Sequence, residues 1–425
     1  MKLNFKTINI CIIGIGYVGL PLALAFGKKF KTLAFDTNIE RIKNLSNNID
    51  SNNEFKKNEI KSSKYLKFTY NEKDIIDCNF YIVTLPTPIN ANKTPNLKYI
   101  KNSCLLISKY LSKNNFVVFE STFYPGLTEE YCIPLLIKNS SLKLNSDFFC
   151  GYSPERINPG DKINTLQNVI KITSGSNSYS AKIIDNLYKK IIKKGTYLAP
   201  SIKIAEAAKV IENAQRDINI AYMNELTQIF NKLNINTHEV LKAASTKWNF
   251  LNFKPGLVGG HCIGVDPYYL TYRSKKAGHN SKIIIAGRKI NDNFSKFIVK
   301  KSLLKIKEIF HRKKINILVM GLTFKENCND FRNSKSIDIV KYLNKTNHFI
   351  FSYDPYLNKN NKIEYFSKNI IIKPKKNFYD FIILSVAHNH FRKMGYNKIN
   401  KLLKRKGVIL DIKNILPNKK NILKI

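Results

Sequence analysis

The sequence predicts an α/β fold with two doubly wound parallel sheets, joined by a long central helix and a helical middle domain. Three observations predict it. Apolar runs of strand length alternate with helical stretches at both ends of the 425-residue chain, which is the pattern of βαβ units. A glycine-rich turn follows the first apolar run, and a long segment with little glycine or proline lies in the middle. We therefore expect three domains, at residues 1–198, 199–308 and 309–425.

The first βαβ unit is the clearest local prediction. The apolar run Ile8–Ile13 predicts a buried strand, Leu20–Lys29 predicts a helix, and Thr32–Phe35 predicts a second strand that ends at Asp36. The segment Gly14–Gly19 joins the first strand to the helix and has the pattern GxGxxG. In this position the pattern is typical of the Rossmann fold, which binds dinucleotides.

Each glycine of this motif has a physical reason. Gly14 permits the tight turn, Gly16 lets the backbone approach a pyrophosphate, and Gly19 lets the helix pack closely on the strand. Asp36 lies 17 residues beyond Gly19, where a carboxylate binds adenosine ribose hydroxyls and repels a 2′-phosphate. The motif therefore predicts NAD rather than NADP as the cofactor, with glycines that serve only a tight turn as the alternative.

Three further predicted strands end in turn-rich segments. Phe80–Leu85, Phe116–Glu120 and Phe148–Tyr152 are each followed by residues typical of turns. Ligands bind at the carboxyl ends of strands in open α/β sheets, so these turns should face the cofactor or substrate. The remaining candidate cofactor-binding residues are Tyr17, Val18, Arg41, Thr87 and Thr122.

The middle and C-terminal parts follow in order. Apolar residues recur at helical spacing from Ser201 to Asn234, which predicts a long helix that joins two domains and carries an oligomer interface. Helical stretches are expected around residues 281–310. A second αβ cycle then follows, with a helix at Ser336–Leu343. Its predicted strands are Ile315–Met320, Phe349–Tyr353, Phe381–Val386 and Val408–Asp411.

Composition excludes several classes of function. The net charge of +41 would normally favour nucleic acid. However, only nine of the 71 basic residues are arginine, and the lysines are dispersed along the chain. The seven cysteines form no CxxC pair, which argues against a disulfide scaffold or a zinc site and favours a reducing cytoplasm. The apolar run at residues 8–26 is interrupted by the motif glycines, so we expect no membrane span. We also expect no metal site.

Cys262 is the candidate nucleophile. It lies in the glycine-rich run Gly256–Asp266, with Asp266 four residues after it. Glycine allows close approach of the backbone to a substrate, and a thiolate can hold a covalent intermediate. Together with a dinucleotide fold, this predicts an oxidation that passes through an aldehyde held on sulfur. The alternative is a small buried cysteine without chemistry.

Lys209 and Asn213 lie four residues apart on the predicted central helix and share one face. An ammonium and an amide could stabilise negative charge that develops on an oxygen. The alternative is a solvated pair, which is common in a lysine-rich chain.

Four motifs in order carry a resemblance to a known family. They are Gly14–Gly19, Ser153–Gly160, Ala208–Asn213 and Gly259–Cys262. With them the chain resembles the UDP-glucose/GDP-mannose dehydrogenase family from Ile8 to about Leu416.

Three stretches resemble the branch of that family that acts on UDP-N-acetylhexosamines, including enzymes of Vi-type capsule and O-antigen biosynthesis. They are Pro255–Leu270, Gly321–Ser334 and Ser385–His388. Asn329 departs from the pattern, which has proline there.

The resemblance implies an NAD-dependent, four-electron oxidation of a sugar C6 alcohol to a carboxylate. It implies that Cys262 forms a thiohemiacetal and then a thioester, and that Asp266 assists base chemistry. Lys209 and Asn213 would stabilise the oxyanion, while Thr122 and Glu155 would position water and move protons. The C-terminal domain would bind UDP. The implied substrate-binding residues are Glu155, Arg156, Lys209, Asn213, Gly259, Lys325 and Arg332.

The expected substrate is UDP-GlcNAc or UDP-GalNAc, with UDP-glucose as the alternative, and the C4 epimer stays open at this point. We expect a cytoplasmic homodimer or higher homo-oligomer. Two other classes of protein would have different sequences. A non-catalytic nucleotide-binding protein would have lost the chemical residues, which all stand, and a nucleic-acid-binding protein would show clustered arginine.

Overall fold

A computed structural model describes residues 7–157, 163–260, 263–311, 314–357 and 369–425. Cys262 and His261 lie outside the described residues. The chain divides into two compact units, one formed by residues up to Glu212 with Tyr268–His279, the other by Asn213–Pro267 with Asn280–Ile425. The three domain boundaries expected from the sequence stay a prediction.

The first unit is built on a six-stranded parallel sheet. Its strands are β1 (Asn9–Ile13), β2 (Lys31–Phe35), β3 (Leu66–Thr69), β4 (Phe80–Val83), β5 (Asn115–Phe119) and β6 (Phe148–Tyr152). Their order is β3-β2-β1-β4-β5-β6, the order of a doubly wound nucleotide-binding sheet. A two-stranded parallel sheet, β7 (Lys171–Thr173) with β8 (Thr196–Leu198), completes this unit.

The register of the sheet brings the predicted ligand-binding turns to one edge. Ile13 pairs with Phe35 and with Val83, and Val83 pairs with Phe119, which pairs with Tyr152. All these strands are parallel, so the residues that follow them meet at the carboxyl edge of the sheet. The four residues of β4 and the five of β5 are buried, as expected for strands covered on both faces.

The helices of the first unit connect these strands. They are α1 (Gly19–Gly27), α2 (Ile39–Ser46), α3 (Lys57–Lys61), α4 (Lys98–Tyr110), α5 (Ile133–Ser140) and α6 (Ser178–Lys189). The Asn38 side chain caps α2 by accepting from the Arg41 backbone N–H, which satisfies a donor that has no partner within the helix.

The central helices are long. They are α7 (Ile202–Lys232), α8 (Thr237–Ala244), α9 (Asp266–Lys276) and α10 (Lys282–Ile309). Within the second unit, α7 and α10 are joined by buried polar contacts. Asp217 accepts from Arg288 and Asn291 at 2.6 and 2.7 Å, and Asn291 accepts from Asn224 at 2.8 Å.

The second unit contains a five-stranded parallel sheet. Its strands are β9 (Asn316–Met320), β10 (Phe349–Tyr353), β11 (Tyr379–Leu384), β12 (Leu403–Asp411) and β13 (Ile422–Lys424). Their order is β10-β9-β11-β12-β13. The helices beside it are α11 (Lys335–Leu343) and α12 (Asn389–Asn400). The predicted α/β fold with two parallel sheets and a long central helix is confirmed. Within the described ranges, no helix combines the length and apolar character needed to traverse a bilayer.

Candidate active site

The glycine turn after β1 has the geometry that the motif predicts. Gly14 has a φ of +95°, and its carbonyl accepts from the Thr84 hydroxyl at 2.7 Å. A Cβ atom at Gly19 would lie 1.9 Å from that carbonyl oxygen, so only glycine fits there. Gly16 is exposed, and no heavy atom lies within 4 Å of the position of a Cβ atom. The turn is therefore packed at both ends and open at its middle glycine, as an approaching pyrophosphate requires.

Replacement of Gly16 by alanine is expected to weaken cofactor binding without damaging the fold. The methyl group has room in the protein but takes the space of the pyrophosphate, so the KM for NAD+ should rise about tenfold, which corresponds to about 1.4 kcal/mol. The melting temperature should stay within about 2 °C. Steady-state kinetics and thermal unfolding test this. Gly19→Ala is the matched control and should lower the melting temperature, and an unchanged KM in Gly16→Ala would contradict the role of this loop.

Asp36 lies where the ribose-binding carboxylate is expected. One of its oxygens accepts from the Ile15 backbone N–H at 2.7 Å, and the other accepts from Asn38 N–H at 2.9 Å. Each carboxylate oxygen has a further lone pair, which leaves acceptors for ribose hydroxyls. Asp36 thus braces the glycine turn as well as offering a recognition group.

Arg41 is buried beside the same turn. Its Nε donates to the Ile15 carbonyl at 3.1 Å, and its Nη1 lies 2.6 Å from Asp50 and 2.9 Å from Ser51. Through these contacts Arg41 stabilises the turn. A direct contact of Arg41 with the cofactor stays a prediction. Tyr17 and Val18 lie in the turn itself and are partly exposed.

The turns after β4 and β5 hold two other cofactor candidates. The Thr87 carbonyl accepts from the Tyr269 hydroxyl at 3.0 Å. Thr122 follows β5 and is partly exposed. The segment just beyond it is fixed by Glu206 of α7, whose carboxylate accepts from the Gly126 N–H at 2.5 Å and from the Thr128 N–H at 2.9 Å.

Glu206 should make the stability depend on pH. Burial raises its pKa to about 7, although hydrogen bonds from Thr128 and Gly126 oppose the shift. The folded chain therefore binds the extra proton between about pH 4.5 and 7, so stability falls as the pH rises through this window, by about 3 kcal/mol at most.

Urea unfolding of the wild type and of Glu206→Gln at pH 5.5 and pH 7.5 measures this effect. The wild type should lose more stability between the two pH values than the glutamine variant does. Equal losses in the two proteins would contradict the assignment.

Glu155 lies at the carboxyl end of β6 and is buried. Its Oε1 accepts from the backbone N–H groups of Arg156 and Ile157 at 2.6 and 2.7 Å, and its Oε2 lies 3.1 Å from the Lys171 Nζ. The Arg156 guanidinium pairs with Glu212 at 2.7 Å, so its predicted role toward the substrate stays a prediction. Lys171 was missed by the sequence analysis, because its partners are far away in sequence.

Lys209 is buried in α7, with 8% of its surface exposed. A solvated surface lysine, which was the alternative for this residue, is therefore excluded. In the second unit, the Asn213 amide donates to the Asp266 carboxylate at 2.6 Å, and Asp266 is fully buried. The structure thus brings together two of the predicted catalytic residues, which are 53 positions apart.

The loop that leads to Cys262 is fixed at defined points within the second unit. The Asn224 side-chain amide donates to the Gly256 carbonyl at 3.0 Å and accepts from the Gly256 backbone N–H at 2.8 Å. Gly260 has a φ of +84°, and its N–H donates to the Asn333 carbonyl at 3.3 Å. A Cβ atom at Gly259 would lie 2.4 Å from the same carbonyl oxygen. These contacts hold the approach to Cys262 against the loop that carries Lys325 and Arg332.

His388 anchors the loop after β9 and was given no role by the sequence analysis. Its Nδ1 accepts from the Asn327 N–H at 2.9 Å, so Nε2 carries the hydrogen and donates to Asp354, 3.0 Å away. The ring is therefore neutral and fully buried. On the loop, Arg332 forms an ion pair with Asp330 at 2.6 Å and is 58% exposed, and the Lys325 ammonium lies 5.8 Å from the Phe324 ring centroid.

Lys413 is a further cation that sequence reasoning missed. It follows β12 at the carboxyl edge of the second sheet, and a Cβ atom at Gly256 would lie 2.8 Å from its Nζ. Burial lowers its pKa, while Glu326 raises it. Its place after a predicted strand was the signal that could have found it. Among the residues that the structure describes, no group of three or more histidine, cysteine or acidic side chains could bind a metal ion.

Comparison with known proteins covers nearly the whole chain. Three domains of the UDP-glucose/GDP-mannose dehydrogenase family match in order. They are the NAD binding domain at residues 8–192, the central domain at 203–293 and the UDP binding domain at 318–418.

Curated relatives are similar over their full length. The chain is 48% identical to a UDP-N-acetyl-D-glucosamine 6-dehydrogenase of Pseudomonas aeruginosa, over 99% of this chain and 100% of that protein. It is 49% identical to the enzyme of the same name from Salmonella typhi, over 96% and 97% of the two chains. Among solved structures, UDP-D-ManNAc dehydrogenase from Pyrococcus horikoshii has a TM-score of 0.87 at 27% identity and covers 98% of both chains.

Proposed function

The chain belongs to the UDP-glucose/GDP-mannose dehydrogenase family, and from that premise we propose that it oxidises UDP-N-acetyl-D-glucosamine at C6 to the uronic acid. It is an NAD-dependent nucleotide-sugar 6-dehydrogenase. The observation that carries the choice of sugar is the full-length similarity, at 48% and 49% identity, to two enzymes named for that substrate. UDP-GalNAc and UDP-glucose are the competing substrates.

The first unit has the features that NAD needs. The space at Gly16 admits the pyrophosphate, and the fixed carboxylate of Asp36 offers acceptors to ribose hydroxyls. When bound there, NAD+ would supply the hydride acceptor for the two oxidations. In our proposal, Tyr17, Val18 and Thr87 line this site through the turns at the carboxyl edge of the sheet.

Six residues carry the chemistry at the reacting carbon in our proposal. Cys262 adds to the C6 aldehyde and forms a thiohemiacetal, which keeps a hydrogen on carbon that can leave as hydride. The thioester that results is hydrolysed by water. Asp266 accepts the proton of the thiol, and its short contact with Asn213 supports this role by fixing the carboxylate. Lys209 and Asn213 stabilise the oxygen that becomes negative, and Thr122 and Glu155 position the water.

The UDP moiety binds to the second unit in our proposal. Lys325 and Arg332 provide cations on the loop that His388 anchors. Lys413 adds a third cation beside Gly256. Arginine and lysine are the usual partners of phosphate oxygens, which supports the assignment of this loop to the diphosphate.

One assay tests the function. The purified protein is incubated with NAD+ and, separately, UDP-GlcNAc, UDP-GalNAc and UDP-glucose, and NADH and uronate are counted. We expect two NADH per uronate and the highest kcat/KM with UDP-GlcNAc. A ratio of one would mean that oxidation stops at the aldehyde, and a preference for UDP-glucose would overturn the proposed substrate.

We also propose a cytoplasmic homodimer or higher homo-oligomer that serves the synthesis of surface polysaccharides such as capsule or O-antigen. The six cysteines that the structure describes are all free, which supports a reducing compartment. Apolar side chains of α7 and α10 are exposed in the single chain, among them Tyr222 at 53% and Ile283 at 70%. Light scattering with size exclusion tests the oligomer, and cell fractionation tests the location.

A further inference from the structure

A buried cluster of charges lies behind the turns that carry Thr122 and Glu155. Lys171 is on β7 and is 3% exposed in its side chain, Glu120 directly follows β5, and Glu155 follows β6. None of the roles derived so far uses Lys171 or Glu120. Glu120 and the candidate residue Thr122 both follow β5, and Glu155 is itself a candidate for proton transfer.

The contacts of the cluster are short and specific. The Lys171 Nζ lies 2.6 Å from a Glu120 oxygen and 3.1 Å from a Glu155 oxygen. The second Glu120 oxygen accepts from the Tyr188 hydroxyl, and the ring of Tyr188 lies under the ammonium with its centroid 5.6 Å away. The second oxygen of Glu155 accepts two backbone N–H groups. Lys171 therefore fixes one oxygen of Glu155 and leaves the backbone to fix the other.

The charges of the cluster do not balance. Two carboxylates face one ammonium, and the nearby Arg156 is paired with Glu212 instead. Buried ion pairs contribute little net stability, because desolvation offsets the attraction. Apolar residues could fill a purely structural role equally well, so the presence of three buried ionisable groups beside these turns favours a role in chemistry.

We propose that Lys171 is a positioning residue that fixes the orientation of the Glu155 carboxylate, while Glu120 competes with Glu155 for the same ammonium. This inference rests on the proposed role of Glu155, which is to accept a hydrogen bond or proton from the water that hydrolyses the thioester. Lys171 acts through Glu155 and does not touch the substrate.

Two substitutions should shift the pH profile in opposite directions. Lys171→Met removes the ammonium that lies 3.1 Å from Glu155, and a buried carboxylate that loses a neighbouring cation is harder to ionise. The acid limb of the kcat profile should then move to higher pH by about one unit or more, and kcat at pH 7 should fall about 10- to 100-fold. Glu120→Gln removes the competing carboxylate, so the acid limb should move to lower pH. Lys171→Arg should restore most of the activity.

The measurements are kcat profiles from pH 5.5 to pH 9 with UDP-GlcNAc, and the KM for NAD+, which should stay within about twofold of wild type because the cofactor turn is untouched. Asp185→Asn is the matched control. It breaks another ion pair of the first unit, in which buried Asp185 lies 2.6 Å from the half-exposed Lys189, and it should lower stability without moving the acid limb.

The outcomes separate this inference from the function. Acid limbs that coincide with wild type in Lys171→Met and Glu120→Gln, or that shift in the same direction, overturn the role of Lys171. If Lys171→Met does not fold, the double variant with Glu120→Gln takes its place, and its acid limb should lie at higher pH than that of Glu120→Gln alone, because only the double variant lacks the ammonium. If Glu155→Gln retains wild-type kcat, the proposed role of Glu155 fails and the inference fails with it. If Glu155→Gln loses activity while the limbs stay fixed, only the inference fails.

Discussion

Replacement of Cys262 by alanine is expected to abolish formation of the uronic acid, with kcat reduced about 10³-fold or more. Without sulfur, the aldehyde cannot become a thiohemiacetal, and the hydrogen on its trigonal carbonyl carbon is a poor hydride donor. Cys262→Ser should stop after the first oxidation, because a hydroxyl is a much weaker nucleophile. We therefore expect a burst of one NADH per active site and little uronate, measured by stopped-flow absorbance and mass spectrometry.

The control for this experiment is Cys78→Ser, which changes a buried cysteine two residues before β4 and should leave the NADH-to-uronate ratio at two. Uronate formation by Cys262→Ala at the wild-type rate would rule out the covalent route. It would also leave the glycine-rich loop without its proposed purpose.

Replacement of Asp266 by asparagine is expected to lower kcat about 10²- to 10³-fold, the range of a lost general base. The asparagine carbonyl oxygen can still accept from the Asn213 amide, which donates to Asp266 at 2.6 Å. The packing is therefore preserved and only the charge and basicity are lost, so stability should change by about 1 kcal/mol or less. Steady-state kinetics and urea unfolding measure the two effects separately.

Asp217→Asn is the matched control for Asp266. Asp217 is also fully buried and contacts Arg288 at 2.6 Å, so its loss should reduce stability, by about 3–5 kcal/mol for a broken buried pair. The activity of the folded fraction should remain. A kcat of Asp266→Asn within threefold of wild type would show that another group takes the proton.

The fold was predictable where apolar runs are long and buried. The strands β1, β5, β6 and β9 agree with their predictions within one residue at either end, because a strand covered on both faces is apolar along its length. β3 and β13 lie at sheet edges and contain polar residues, with the sequences Leu-Lys-Phe-Thr and Ile-Leu-Lys, so no apolar run marks them. β12 begins at Leu403, before the predicted Val408, since exposed basic residues occupy its first half.

The candidate site was predictable only in part. The glycine turn with Asp36 has a local spacing that its chemistry requires, and Lys209 and Asn213 are one helical turn apart. The residues that were missed act through contacts distant in sequence. Lys171 reaches Glu120 across 51 positions, Glu206 reaches Gly126 across 80, and His388 reaches Asn327 across 61. The spacing of apolar residues along the chain does not predict contacts between residues so far apart.

Asp36 both accepts hydrogen bonds from the glycine turn and offers a carboxylate to the ribose, which has a consequence for changing the cofactor preference from NAD to NADP. Removing its charge would be the obvious first step of such redesign, yet the same carboxylate satisfies the main-chain donors of Ile15 and Asn38. An alanine would leave both without this acceptor; the Asn38 N–H is exposed to water, but the Ile15 N–H is partly buried, and a buried donor without a partner costs about 1–3 kcal/mol. Asparagine or serine at position 36 retains one acceptor. A change of cofactor preference would therefore start from these substitutions and supply the second hydrogen bond from another residue.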